Sequence, residues 1–188
     1  MFMDYLEYID NNILHEFRLY STKIKRIADL NQGIHGINHL LRVLLFTLLI
    51  CNSLKISSHH RNIASIAALY HDIGRKNDDA DLIHGLFSWR KAKKYIVEDF
   101  SKNDLNIIRY IIENHCIPDE IALDNVYAYN ISNKYEAQSL LNIVKDADSL
   151  DVMRLGAFEK KYLRYEDSKK LIPIAKYINS LNDEVQKL

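Results

Sequence analysis

Apolar residues recur at intervals of three and four along most of the chain, the spacing that puts them on one face of an α-helix. The most apolar segment runs from Leu40 to Cys51 and predicts a buried helix at about Asn38 to Ser53. This segment is far shorter than the ~20 residues of a membrane-spanning helix, and Arg42 interrupts it. We therefore expect a protein without a membrane segment.

The same spacing predicts helices in most of the remaining sequence. The expected segments are about Asp4–Tyr20, Ser57 or Ser58 to Gly74, His84–Glu98, Asn103–His115 and Asn133–Asp151, with one or two more after Gly156. Asn133 and Glu136 have the spacing of a capping box at a helix start. Residues 119–132 are predicted to be irregular. Because no strand-like alternation persists, the expected fold is all-α, a bundle of about seven to nine helices.

Length and composition indicate one domain, or one domain with a short appendage, and we expect a single domain at residues 1–188. The default location is the cytoplasm. The 188 residues are 48% hydrophobic, which is enough for a packed core. Lys+Arg and Asp+Glu both number 25, so no overall positive charge favours nucleic acid. The N-terminus shows no basic leader before an apolar stretch, so no secretory signal is expected. Cys51 and Cys116 are predicted to be buried free thiols in a reducing compartment.

Several polar residues occupy positions on the apolar faces of the predicted helices. They are His39, His71, His115 and Asp148, and Asp72 directly follows His71. One such histidine is most often a hydrogen-bonded core residue. A buried ionised carboxylate, however, costs several kcal/mol unless it is paired or bound to a metal. Three histidines and two aspartates that converge on one core therefore favour a divalent cation.

The donor types narrow the choice of cation. Imidazole and carboxylate without thiolate suit manganese, iron, cobalt, nickel or zinc better than magnesium. The number and positions of the cysteines exclude a cysteine-based structural zinc site. A catalytic metal centre is therefore a stronger interpretation than a structural zinc site or a switch made of a single histidine–carboxylate pair.

Short motifs around these residues match a known family. The sequence resembles the HD-domain metal-dependent phosphohydrolases, a helical superfamily with an H…HD…D ligand pattern. The matching segments, which span roughly Ile34 to Asp151, are HGINHLLRV at His35–Val43, HDIGR at His71–Arg75, His84-Gly85, His115 and DADSLD at Asp146–Asp151. The resemblance implies one HD-type domain with a motif-bearing core at about 34–151 and helical extensions at both ends.

The resemblance also implies a set of metal ligands. One ion would be held by His39, His71, Asp72 and Asp148. His84 and His115 match positions where some family members hold a second ion, and their alternative role is to bind substrate phosphate. Cys116 stands where the cyclic-dinucleotide branch has a second histidine, which leaves the second site short of a ligand.

Further residues are candidates for catalysis and substrate binding. Asp72, with Arg75 and Lys76 just beyond it, is assigned to the catalytic group because metal-activated water would attack a phosphoryl centre there. His35, Arg75 and Lys145 are assigned to substrate binding. Asp146 is expected to face solvent or support the ligands indirectly. Asp151 is expected to orient a ligand histidine.

Three functions remain open from the sequence. The leading hypothesis is hydrolysis of a phosphoester or phosphoanhydride bond in a nucleotide or similar small phosphorylated substrate. The alternatives are a metal-dependent nuclease of a defence system and a non-catalytic HD signalling module. Zero net charge counts against the nuclease, and the intact ligand pattern counts against the module.

Overall fold

The predicted all-α class is confirmed by a computed structural model that describes residues 9–24, 33–79 and 81–188, without the side chains of residues 182 and 183. Within these ranges there are nine α-helices and no strand. The helices are α1 (Asn11–Ile24), α2 (Ile37–Ser53), α3 (Ser58–Tyr70), α4 (His84–Ile96), α5 (Lys102–Asn114), α6 (Asp119–Asn125), α7 (Lys134–Val152), α8 (Glu166–Lys170) and α9 (Ile172–Ser180). Short 3₁₀ helices occupy Val126–Ala128, Met153–Leu155, Lys160–Tyr162 and Asn182–Lys187.

Side-chain caps explain where several helices begin. Ser57, Ser101 and Asn133 each accept a hydrogen bond from the backbone N–H three residues later. These contacts satisfy N–H groups that have no partner inside the helix. The predicted starts of α3 and α7 are therefore confirmed.

Three predicted boundaries are wrong. The helix predicted to end near Gly74 is α3, which ends at Tyr70 and is followed by a turn at residues 71–74. Helix α1 begins at Asn11, because Asp10 accepts a hydrogen bond from the Asn12 N–H at 2.8 Å, whereas the prediction began at Asp4. Residues 4–8 of that prediction lie outside the described residues. The segment 119–132 is not irregular throughout, since α6 and a 3₁₀ turn occupy residues 119–128. Pro118 precedes the first turn of α6, which carries two acidic residues that suit a helix N-terminus.

Helix α2 forms the centre of the bundle. Thirteen consecutive residues, His39 to Cys51, are buried, because α2 packs against α1, α3 and α7. Such burial on all sides explains its almost unbroken apolar sequence. None of the described helices has both the length and the apolar character needed to cross a membrane.

Two glycines allow helix ends to come close together. A Cβ at Gly74 would lie 2.2 Å from the Ser88 backbone nitrogen in α4. A Cβ at Gly85 would lie 2.5 Å from the Ile112 carbonyl oxygen in α5. The turn after α3 can therefore touch the start of α4, which in turn touches the end of α5.

Candidate metal centre

Six polar side chains from five helices meet at one end of the bundle. His39 lies in the first turn of α2, His71 and Asp72 follow α3, His84 begins α4, His115 follows α5, and Asp148 lies near the end of α7. All are buried except Asp148, whose side chain is 30% exposed. The structure thus brings together every metal ligand and every second-metal candidate that the sequence analysis assigned.

We name His39, His71, Asp72 and Asp148 the first half-site. The Nε2 atoms of His39 and His71 are 3.1 Å apart. Asp148 Oδ1 lies 3.5 Å from His39 Nε2 and 3.9 Å from His71 Nε2. Asp72 Oδ2 lies 3.5 and 3.7 Å from the same two nitrogens. Four donor atoms therefore surround one small volume.

We name His84, His115 and Cys116, with Asp72 Oδ1, the second half-site. The Nε2 atoms of His84 and His115 are 2.9 Å apart. Asp72 Oδ1 lies 3.0 Å from His84 Nε2 and 3.2 Å from His115 Nε2. Asp72 consequently turns one carboxylate oxygen toward each half-site, which is the arrangement of a bridging ligand.

Backbone carbonyls fix the orientation of three of these imidazoles. In each case Nδ1 contacts the carbonyl oxygen three residues earlier: His71 to Ala68 at 2.7 Å, His115 to Ile112 at 2.8 Å, and His84 to Asp81. A carbonyl oxygen can only accept, so Nδ1 carries the proton. In the neutral ring Nε2 then keeps its lone pair and faces the cluster.

The fourth imidazole, His39, is oriented by a side chain. Asp151 Oδ2 accepts a hydrogen bond from His39 Nδ1 at 2.7 Å, so the predicted contact between Asp151 and a ligand histidine is present. Arg42 and Arg154 also donate to Asp151. Although burial opposes ionisation, the contacts with His39 and Arg42 hold the pKa of Asp151 below its usual range. The sequence analysis missed Arg42, yet its place in a buried helix already required a carboxylate partner.

The charge distribution suits a cation. Burial lowers the pKa of His39, but hydrogen bonds to Asp151 and Asp72 outweigh it and raise that pKa to about 10. The pKa of His84 also rises to about 10, since Asp72 and Cys116 outweigh burial. Burial dominates at His71 and lowers its pKa to about 4. Two carboxylates and opposed Nε2 lone pairs thus favour positive charge between the rings, and the residues fit a divalent metal ion.

The three candidates next to the first half-site differ in position. His35 Nδ1 lies 2.9 Å from Asp72 Oδ2, which makes His35 part of the cluster. Arg75 Nε lies 3.2 Å from the same oxygen, and its Nη1 donates to the Asp79 carbonyl. Lys76 is exposed.

Lys145 lies in a cleft of about 580 Å³ that His115 and Cys116 also line. Its ammonium donates to Asp119 at 2.7 Å and to the Ile117 carbonyl at 2.5 Å. Arg164 contacts both oxygens of Asp119, at 2.6 and 2.9 Å. Both cations of this wall are therefore already paired with a carboxylate, a pairing that sequence spacing could not show.

Two expected exposures are wrong, the solvent-facing position of Asp146 and the burial of Cys116. Asp146 is fully buried and accepts hydrogen bonds from the backbone N–H groups of Arg164 and Tyr165, at 2.9 and 3.0 Å. Ser139 and Asn142, which precede it on the same face of α7, are polar, and the segment that covers Asp146 follows eighteen residues later in the chain. Cys116 is half-buried rather than buried, since it faces the cleft, whereas Cys51 is buried as predicted. Burial opposes ionisation of Cys116, but His84 and His115 hold its pKa below the ordinary value.

Together, the helical bundle and the His–Asp cluster define a class of helical protein whose buried side chains could hold a metal ion. The family model described as HD domain matches residues 36–153, which is more than half of the chain. The chain therefore belongs to the HD-domain family, whose members are in general metal-dependent hydrolases of phosphorylated substrates. Comparisons with curated proteins and with solved structures give no significant match.

Proposed function

We propose that the protein is a metal-dependent phosphohydrolase that cleaves a phosphoester or phosphoanhydride bond of a nucleotide or similar small phosphorylated molecule. The observation that carries this proposal is the position of Asp72. Its two oxygens face two separate imidazole pairs, at 3.5 Å from His39 Nε2 and 3.0 Å from His84 Nε2. This arrangement suits hydrolysis better than a structural role, because a structural site needs no shared carboxylate between two donor sets.

The residues have separable tasks in this proposal. A divalent ion, when bound by His39, His71, Asp72 and Asp148, supplies Lewis acidity and an acidified water. Asp148 is the ligand open to solvent, so the substrate approaches on its side of the cluster. Arg75, whose Nε lies 3.2 Å from Asp72 Oδ2, would neutralise charge on the phosphoryl oxygens. His35, whose Nδ1 lies 2.9 Å from the same Asp72 oxygen, would also contact the substrate phosphoryl group.

The surroundings favour a small substrate over a nucleic acid strand. The cleft beside His115 has a volume within the range of about 300–1,000 Å³ for small-molecule sites. Its wall carries Asp119 and Glu120 as well as Lys145 and Arg164, so opposite charges largely cancel. A polyanionic strand needs unpaired cations along its path. We therefore rank the nuclease below the small-molecule hydrolase.

Chelation and reconstitution test the proposal. Protein freed of metal should not hydrolyse nucleoside phosphates or a generic phosphomonoester, and manganese, iron, cobalt, nickel or zinc should restore turnover better than magnesium. Asp72→Ala should abolish turnover while the helical circular dichroism signal stays unchanged. Asp99→Ala, which alters an exposed aspartate outside the cluster, is the matched control. Turnover that survives both chelation and Asp72→Ala would contradict the proposal.

A further inference from the structure

We propose that Cys116 is a direct ligand of a second metal ion, and that the second half-site is a thiolate site for a borderline-soft ion such as Zn²⁺. The inference rests on the proposed function only in that Asp72 is shared. It assigns the Cys116 sulfur as a ligand beside the imidazoles of His84 and His115.

The two imidazoles of this half-site already require a positive charge between them. His84 and His115 both commit Nδ1–H to backbone carbonyls, so both Nε2 lone pairs point at each other across 2.9 Å. Two lone pairs at that distance repel each other unless a proton or a cation lies between them. Both side chains are at least 96% buried, and solvent therefore does not separate them.

Cys116 offers a further donor atom close to this pair. It follows His115 at the end of α5, and its Sγ and the two imidazoles offer donor atoms that all lie within 4.8 Å of one another. Its Sγ donates to the Leu82 carbonyl at 3.3 Å and also lines the cleft. Cys51, by contrast, is enclosed in the apolar core among Leu and Ile side chains. Position therefore distinguishes a thiol that can bind metal from one that cannot.

The donor set selects the kind of ion. The two imidazoles and the Cys116 thiolate would supply three of the four ligands that zinc usually has. Asp72 Oδ1, which lies 3.0 and 3.2 Å from the two Nε2 atoms, would supply the fourth. Thiolate discriminates against magnesium and manganese, which prefer oxygen donors. The first half-site contains no sulfur. The two halves would therefore prefer different ions although they share Asp72.

Cobalt substitution gives a test that does not depend on hydrolysis. Metal-free protein is titrated with Co²⁺ while the near-ultraviolet thiolate-to-cobalt charge-transfer band is recorded. The band should develop as the second half-site fills, and it should be absent in Cys116→Ser. Cys51→Ala is the matched control, since it removes the other thiol and should keep the full band. Circular dichroism verifies that each variant is folded.

A second measurement follows the thiol itself. In the Cys51→Ala background, Cys116 should react with a thiol reagent in the metal-free protein and become protected when Zn²⁺ is added. Cys116→Ser should weaken binding at the second half-site by more than the ~10–100-fold typical of an indirect ligand partner. A folded protein that binds Co²⁺ without the band, or Cys116 that stays reactive with zinc bound, overturns the inference. If the protein hydrolyses phosphates but shows no charge-transfer band, Cys116 is not a ligand and the proposed function stands. If it shows the band but hydrolyses no phosphorylated substrate, the proposed function is wrong and the ligand assignment stands.

Discussion

Asp146 and Asp148 lie two residues apart in one motif, and we expect their substitution to affect different properties of the protein. Asp146 is fully buried and holds the segment around Arg164 and Tyr165 against α7. Asp148 is part-exposed and contacts the imidazoles of the first half-site. Asp146→Ala should therefore destabilise the fold, and Asp148→Ala should remove metal.

The size of the Asp146 effect follows from its contacts. Its carboxylate accepts two backbone N–H groups and the Arg164 guanidinium, all at 2.9–3.0 Å. Removing the acceptor leaves a guanidinium without one of its carboxylate partners and two backbone donors without theirs. Loss of one partner of a buried ionic contact costs about 3–5 kcal/mol. At about 2–4 °C per kcal/mol for a chain of this size, Tm should fall by about 6–20 °C.

Asp148→Ala should behave in the opposite way. Its carboxylate is part-exposed, so the free energy of unfolding of metal-free protein should change by less than about 1 kcal/mol. Urea denaturation of both variants, measured in chelator to remove stabilisation by bound metal, gives the comparison. Metal content is then measured on the folded fraction of each variant at low temperature.

Two results would refute this reasoning. One is a metal-free Asp146→Ala protein as stable as the wild type, because the buried carboxylate would then hold nothing together. The other is an Asp148→Ala protein that keeps a full equivalent of metal at the first half-site.

Two other substitutions test the positioning of the ligands. Asp151→Asn should weaken metal binding at the first half-site by about 10–100-fold, because an amide holds His39 less strongly than a carboxylate does. Competition with a chelating dye measures this affinity, with Asp99→Asn as the control. An unchanged affinity in Asp151→Asn would contradict the expectation. Gly74→Ala should cost about 1–3 kcal/mol or more in urea denaturation, because its Cβ would meet the backbone of Ser88. Gly156→Ala, with open space around its Cβ but φ at +74°, should cost about 1–2 kcal/mol, and a larger loss there than at Gly74 would contradict the close-approach argument.

Helical periodicity was sufficient to predict the class of fold and the convergence of His39, His71 and Asp148. A polar residue on an apolar stripe can be recognised without knowing what it touches. The burial of Asp146 could not be recognised in this way, because its partners Arg164 and Tyr165 follow eighteen and nineteen residues later in a segment without periodicity. The donor role of Cys116 was missed for another reason. A cysteine in apolar sequence resembles any core residue, and only the approach of α4 to the end of α5 shows what it faces.

The orientation of the four imidazoles in the cluster depends on two kinds of partner, main-chain carbonyls and a side chain. His71, His84 and His115 are held by main-chain carbonyls, which every amino acid at the neighbouring position would supply. Only His39 depends on a side chain, that of Asp151. A single substitution at Asp151 can therefore change the orientation of His39 in the first half-site. The main-chain carbonyls still hold His84 and His115 in the second half-site. A lineage of such proteins could change the properties of its first metal in small steps and still keep the second pair of imidazoles aligned.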